Sequence, residues 1–409
     1  MLLDDHDHRS IIDFMRAIGI LLVICFHVVL GITTLLEPDQ VPAYIAEIPR
    51  VLNIWWQAMG SEIIFLFSGF LLSYLLMREL VRTGRIDVHD FYVRRLSRIV
   101  PLYAVALGLY ALVRDFHPVD LLLNLLFVSR LFDVTTIVPV GWSLEVLVQS
   151  YVLLPFVVLF FIRSRFPLLL CTAAIAGFLA LRYFAFALDP VSYSTPFYAL
   201  FMDEDPTDTQ QATYYLLHYR ATPFLLGFLV AYLVVYKHAL LASVFRSRVV
   251  SLAIAVVSVL VIAGSAFLPV HDPQGFIYGA VSERFWLYFW TLQRFVFSLG
   301  ICGITLVSWY GRSALVRAFV RMSGWRVWHS VSANIYSIYL FHPVFLIPGA
   351  AIGFRAVSKE GLLPVHLGEV IVTIVAVATL STLFGALLTT RYLELPAQRW
   401  IRQRFSRRR

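Results

Sequence analysis

Unbroken apolar runs, parted by short clusters of arginine, proline and acidic residues, dominate this chain. They lie at 11–36, 52–77, 99–114, 142–162, 166–188, 214–236, 249–270, 285–310, 335–354 and 369–391. About 20 apolar residues in helical form cross the ~30 Å hydrocarbon layer of a bilayer. The runs are continuous instead of alternating, which excludes a membrane β-barrel. The pattern predicts an all-α, polytopic membrane bundle of about ten transmembrane helices. The stretch 117–134 is apolar but interrupted and reads as re-entrant or interfacial. The loops are too short to hold a further domain, so 1–409 reads as a single integral-membrane domain.

Composition agrees. The chain is 60% hydrophobic and only 14% charged, whereas about a quarter of a soluble domain is charged. Charge placement then orients the bundle. With the N-terminus inside, 23 of the 33 lysines and arginines fall in cytoplasmic segments, six in outside loops and four within spans. That bias follows the positive-inside rule and places both termini in the cytoplasm. It also accounts for most of the +8 net charge. The arginines are scattered along membrane edges, so nucleic-acid binding is not expected. Membrane lipids are the implied surroundings. No small-residue cleavage site follows the first run, which reads as a retained helix. The outside loop 189–213 holds five acidic residues and no basic ones. It is either an ordinary exported loop or a lip over a substrate entrance. The three cysteines, Cys25, Cys171 and Cys302, sit inside apolar runs and read as packing residues. No grouping of His, Asp or Glu has metal-ligand spacing, so no metal is expected.

Ionisable side chains inside spans need a reason, because the bilayer penalises them. The first span carries Arg16 and His27, eleven residues apart. Eleven helical steps overshoot three turns by about 20° and rise roughly 16 Å, so both share one face. Arg16 lies near the membrane edge, within reach of Asp13 three residues before it. It is either a snorkelling anchor or the start of a polar stripe leading inward. His27 lies too deep to snorkel. It is either a neutral histidine hydrogen-bonded in the bundle or a reactive one. Arg182, Arg220 and Arg294 also fall within spans, where internal ion pairs or snorkelling are expected.

Asp13-Phe14-Met15-Arg16 followed by His27 resembles the opening motif of the acyltransferase-3 family of bacterial membrane O-acyltransferases. GSEIIFLFSGFLLSYLL resembles its second span, with Glu62 at the acidic position and Ser68-Gly69-Phe70 at its SGF signature. The loop ending in Arg94-Arg95-Leu96-Ser97-Arg98 resembles its basic cytoplasmic loop. GWSLEVLVQSYVLLP resembles its Trp-Ser-Leu motif, SANIYSIYLFHPVF its late Ser–Tyr–Leu–His–Pro pattern, and RYLELPAQRW its closing Glu-x-Pro. The motifs run in family order over nearly the whole chain. One position departs: the carboxylate after Trp142 is Glu145, and the position where many members have glutamate is Leu147.

The resemblance implies transfer of an acyl group from cytoplasmic acetyl-CoA to a hydroxyl of a sugar-containing acceptor, such as a surface polysaccharide or lipid-linked glycan, at a bacterial inner membrane. His27 is then a general base or an acyl carrier, supported by Arg16, Asp13 and a nearby Glu62. Arg94, Arg95 and Arg98 are candidates for the CoA phosphates. Trp142 is a belt anchor or a surface for a sugar ring, with Ser143, Ser68 and Glu145 beside it. His342 is an orienting or binding residue. Glu394 is expected to pair with Arg391 or Arg399. The competing class is a transporter or glycan exporter that uses intramembrane His, Arg and Glu as a proton relay. The sequence shows no paired broken helices of the kind many transporters carry.

Overall fold

Lipid offers no partner to a bare peptide group, so a spanning segment must satisfy its backbone internally, and long apolar runs become helices. The computed structural model describes residues 6–33, 36, 38–194, 207–268, 270, 277, 280–349, 351, 352, 355 and 367–405. Among these residues it is helical, with no strand. The principal helices are α1 (His6–Thr33), α2 (Gly60–Thr83), α3 (Val88–Ala111), α4 (Gly141–Arg163), α5 (Pro167–Leu188) and α6 (Thr222–Tyr236). They continue with α7 (Arg248–Ala266), α8 (Glu283–Tyr310), α9 (Arg326–Ala333), α10 (Ile335–Phe345), α11 (Leu367–Thr389) and α12 (Leu395–Phe405). A π-helical turn, Thr390–Glu394, joins the last two.

Seven helices among the described residues are long and apolar enough to cross a membrane. Two bent pairs raise the number to nine if each is one span. One bends by 95° between α6 and His238–Val244, the other by 78° between α9 and α10. The remaining expected run, 99–114, forms the apolar half of α3 as far as Ala111, and the first half of α3 carries Asp90, Arg94, Arg95 and Arg98. The interrupted stretch 117–134 folds as a short helix, Pro118–Leu125, and a 3₁₀ turn, Ser129–Phe132. The reading of 189–213 as a lip falls largely on 195–206, outside the described residues.

Helices α1 and α2 sit inside the bundle, with 61% and 67% of their apolar windows buried. Helices α5 and α7, at 17% and 22%, present their apolar faces outward. Small residues allow the inner helices to close. Gly69 meets the Phe224 backbone on α6, and Gly227 meets the α2 backbone at Leu66 and Phe70. A side chain at either place would collide with main chain, and this is the small-residue packing expected between helices in lipid. The SGF glycine is therefore a packing residue. The three cysteines are buried and unpaired.

The α9–α10 break has local causes. Asn334 ends α9 and turns its side-chain amide back to the Ser330 carbonyl at 2.7 Å. Such local bonding competes with continuation of the helix. Further along, Pro343 lacks the N–H that would bond the Tyr339 carbonyl. The imidazole of His342 takes that carbonyl instead, with Nδ1 at 2.7 Å.

Candidate functional site

Helix α1 carries the polar stripe expected from its spacing. At one end, Asp13 and Arg16 meet through Ser332 of α9. Ser332 Oγ donates to Asp13 Oδ1 at 2.7 Å and accepts from Arg16 Nη1 at 3.0 Å. His329 Nδ1 lies 2.8 Å from Asp13 Oδ2. The expected Asp13–Arg16 pair is thus bridged by a hydroxyl, and Arg16 keeps donors for other partners.

Three turns along, His27 Nδ1 donates to the Val23 carbonyl at 2.8 Å. Its ring packs on that of His342, with centroids 4.7 Å apart and planes at 64°. His342 is fully buried, and His27 is partly accessible. A carbonyl only accepts, so each Nδ1 carries the hydrogen, and each neutral ring offers its lone pair at Nε2. His342 Nε2 is buried without a hydrogen-bond partner. Two imidazoles 315 positions apart are therefore held together with both basic nitrogens unspent.

Glu62 is elsewhere. The expectation that it orients His27 is corrected by its partners: Glu62 Oε1 lies 2.7 Å from Arg220 Nη2 and 2.9 Å from Arg294 Nη1. All three are buried. The Arg220 guanidinium is also enclosed by aromatic faces, 5.2 Å from the centre of Tyr214 and 5.5 Å from those of Phe65 and Trp142. Trp142 is buried in this cage, its ring 4.7 Å from Tyr214, so it is no lipid-facing anchor. Arg182 gives its hydrogen bonds to the carbonyls of Trp290 and Thr213, at 3.0 and 2.7 Å. The signal that could have paired these groups was a carboxylate alone in its span, in a chain with unmatched intramembrane arginines.

The basic motif leads to two cavities. The larger, about 980 Å³, is lined by Arg78, Arg82, Arg94, Arg95, His8 and His238. The narrower, about 140 Å³, is lined by Arg16, Arg95, Arg98, Ser68, Ser143 and Tyr339 among others. Arg95 and Leu72 face both. Arg95 Nε is buried without a partner. Arg94 pairs with Asp90 one turn back. Arg98 lies 3.7 Å from Glu394, which also accepts from Ser337 at 2.8 Å and Gln398 at 2.9 Å. Glu394 therefore pairs with Arg98 and not with Arg391 or Arg399. In the lining of the smaller cavity, Ser143 and the Tyr339 hydroxyl are hydrogen-bonded. The Tyr339 ring is 5.8 Å from that of His342.

The displaced carboxylate Glu145 points away from this cavity. It accepts from the Ser129 hydroxyl, the Ser129 N–H at 3.2 Å and the Arg130 N–H at 3.1 Å. It therefore caps the 129–132 turn. Among the described residues, no three His, Cys, Asp or Glu side chains converge as a metal site.

The family model described as an acyltransferase domain, acyltransferase-3, matches residues 9–391. The chain is similar to the O-acetyltransferase OatA of Staphylococcus aureus, including those of strains NCTC 8325 / PS 47, COL and MRSA252. The identity is 30% over 140 residues, 28% of this chain and 23% of each relative. The match thus spans under a quarter of those relatives' length. No solved structure matches.

Proposed function

The chain belongs to the acyltransferase-3 family, and we propose that it is a membrane O-acyltransferase that moves an acetyl group from acetyl-CoA to a hydroxyl of a sugar-containing acceptor. In this reading both termini and the larger cavity face the cytoplasm of a bacterium, and the inner membrane holds the bundle. The observation that carries it is the His27–His342 pair, with both basic nitrogens unspent, next to Tyr339, which also lines the cavity that holds Arg16, Arg95 and Arg98.

The polyanionic end of the donor lies among the arginines of the larger cavity. Arg95, with a spare buried N–H, and Arg98 contact its phosphates, as guanidinium groups are well shaped to do. The thioester arm follows the narrow cavity past Ser68 towards Tyr339. His27 Nε2 then removes the acceptor's hydroxyl proton as the oxygen attacks the thioester carbon, or attacks that carbon itself and carries the acetyl group. Either way the C–S bond breaks, and CoA leaves as the thiol. Glu62 and Trp142 support the site by holding Arg220, and Ser143 orients Tyr339.

The two bent helix pairs favour a second reading, since broken helices line substrate sites in many transporters. Thioester consumption separates the two. The purified protein in nanodiscs, given acetyl-CoA and an extract of surface glycans, is expected to release free CoA. His27→Ala and His27→Gln are expected to insert and lose the release. Folded wild type that moves a glycan without consuming thioester is a transporter.

A further inference from the structure

Any base that accepts a proton deep in a bundle must hold a positive charge where water is scarce. We propose that His342 shares that charge, its Nε2 receiving, through His27, the proton that His27 takes from the acceptor hydroxyl. The inference rests on the acyltransferase reading above and adds a second proton-handling residue to it.

Buried polar atoms nearly always have a hydrogen-bond partner, and an exception asks for an explanation. His342 Nε2 is such an exception, on a fully buried side chain. Its tautomer is imposed by the chain itself. Pro343 removes the amide that would bond the Tyr339 carbonyl, and His342 Nδ1 donates there at 2.7 Å. Nδ1 therefore holds the hydrogen, and Nε2 is left as a bare lone pair. His27 is set the same way by the Val23 carbonyl at 2.8 Å.

The two rings touch, at 4.7 Å between centroids, yet two lone pairs cannot bond each other. One added proton changes this. A proton on His27 Nε2 supplies the donor that His342 Nε2 lacks, so that the two nitrogens can share it in an N–H···N hydrogen bond. The pair is thus built to hold one proton more than its resting state, which is the state a general base enters during the reaction. The cycle balances. The acceptor O–H bond breaks, and its proton goes to His27 Nε2 and is shared with His342 Nε2. The oxygen bonds the acyl carbon, the C–S bond breaks, and the proton leaves on the CoA sulfur. Both rings end neutral. His342 is a positioning and proton-sharing residue; His27, partly accessible, is the one that meets substrate.

The test compares two replacements in acetyl transfer with saturating acetyl-CoA. His342→Phe keeps a ring in the same place but offers no acceptor, and kcat is expected to fall about 100-fold, within the range of general-base effects. His342→Gln keeps a carbonyl oxygen that can accept the His27 N–H, and should recover about tenfold of that loss. The acetyl-CoA KM should stay within twofold in both. Equal loss of kcat in the two variants, at wild-type thermal midpoints, means that His342 only packs, and overturns the proposal. Failure of the parent reading looks different, because wild type itself then releases no CoA.

Discussion

This protein holds two groups of arginines among its helices, one buried and one partly exposed, and they are treated in opposite ways. Arg220 and Arg294 share the carboxylate of Glu62, and Arg220 is further enclosed by Phe65, Trp142 and Tyr214. Arg16, Arg95 and Arg98 instead line a cavity. Arg16 has only a hydroxyl for a near partner, Arg98 a carboxylate at 3.7 Å, and Arg95 Nε no partner at all. A buried cation matched by a carboxylate holds helices together. A cation that lines a cavity without a close carboxylate has its charge available for a ligand. The contrast teaches that intramembrane arginines are sorted by what neutralises them, not by depth.

The largest effect is expected at the matched group. Glu62→Ala leaves two buried guanidiniums without their carboxylate, and breaking a buried pair in this way costs about 3–5 kcal/mol. The folded yield in detergent should collapse, and the thermal midpoint of what remains should drop by many degrees. An unchanged midpoint would break the comparison at its structural side. Next comes Glu145, whose removal orphans donors at Ser129 and Arg130 for about 1–3 kcal/mol. Glu145→Ala should speed proteolysis within 129–132 and leave the acetyl-CoA KM within twofold. A KM effect as large as that of an Arg95 variant would assign it to the cavity instead.

At the open group, Arg95→Ala is expected to raise the acetyl-CoA KM roughly tenfold, the worth of one charge-assisted hydrogen bond, with the thermal midpoint and acceptor KM little changed. A lower midpoint with normal KM would make Arg95 a packing residue. The smallest effect is expected at Pro343. Pro343→Ala returns an N–H that competes for the Tyr339 carbonyl, so His342 loses its fixed tautomer. Transfer should slow severalfold without loss of stability, as followed by steady-state CoA release.

Much of this was legible in the sequence. Apolar runs of helical length predict the bundle, and the eleven-residue spacing places Arg16 and His27 on one face of α1. The motif series leads to the family that the chain belongs to. What was not legible depends on contacts between distant segments. Nothing local to His27 points to His342, which arrives across 315 residues. Glu62 meets Arg220 and Arg294 only because α2, α6 and α8 pack together. The bridging of Asp13 to Arg16 by Ser332 has the same origin. The bend at Asn334 lies just before the run 335–354, so α9 ahead of it fell outside the expected span. Glu145 was visible as a departure, but its meaning required the 129–132 turn.

If the arginines that line the cavity hold the donor while those gathered on Glu62 hold the fold, equilibrium binding of CoA itself is the most direct measurement, since no acceptor is needed. The wild-type protein in nanodiscs should bind CoA, and Arg95→Gln should bind at least tenfold more weakly while unfolding at the wild-type temperature. Equal affinity in the two proteins would contradict that division of roles.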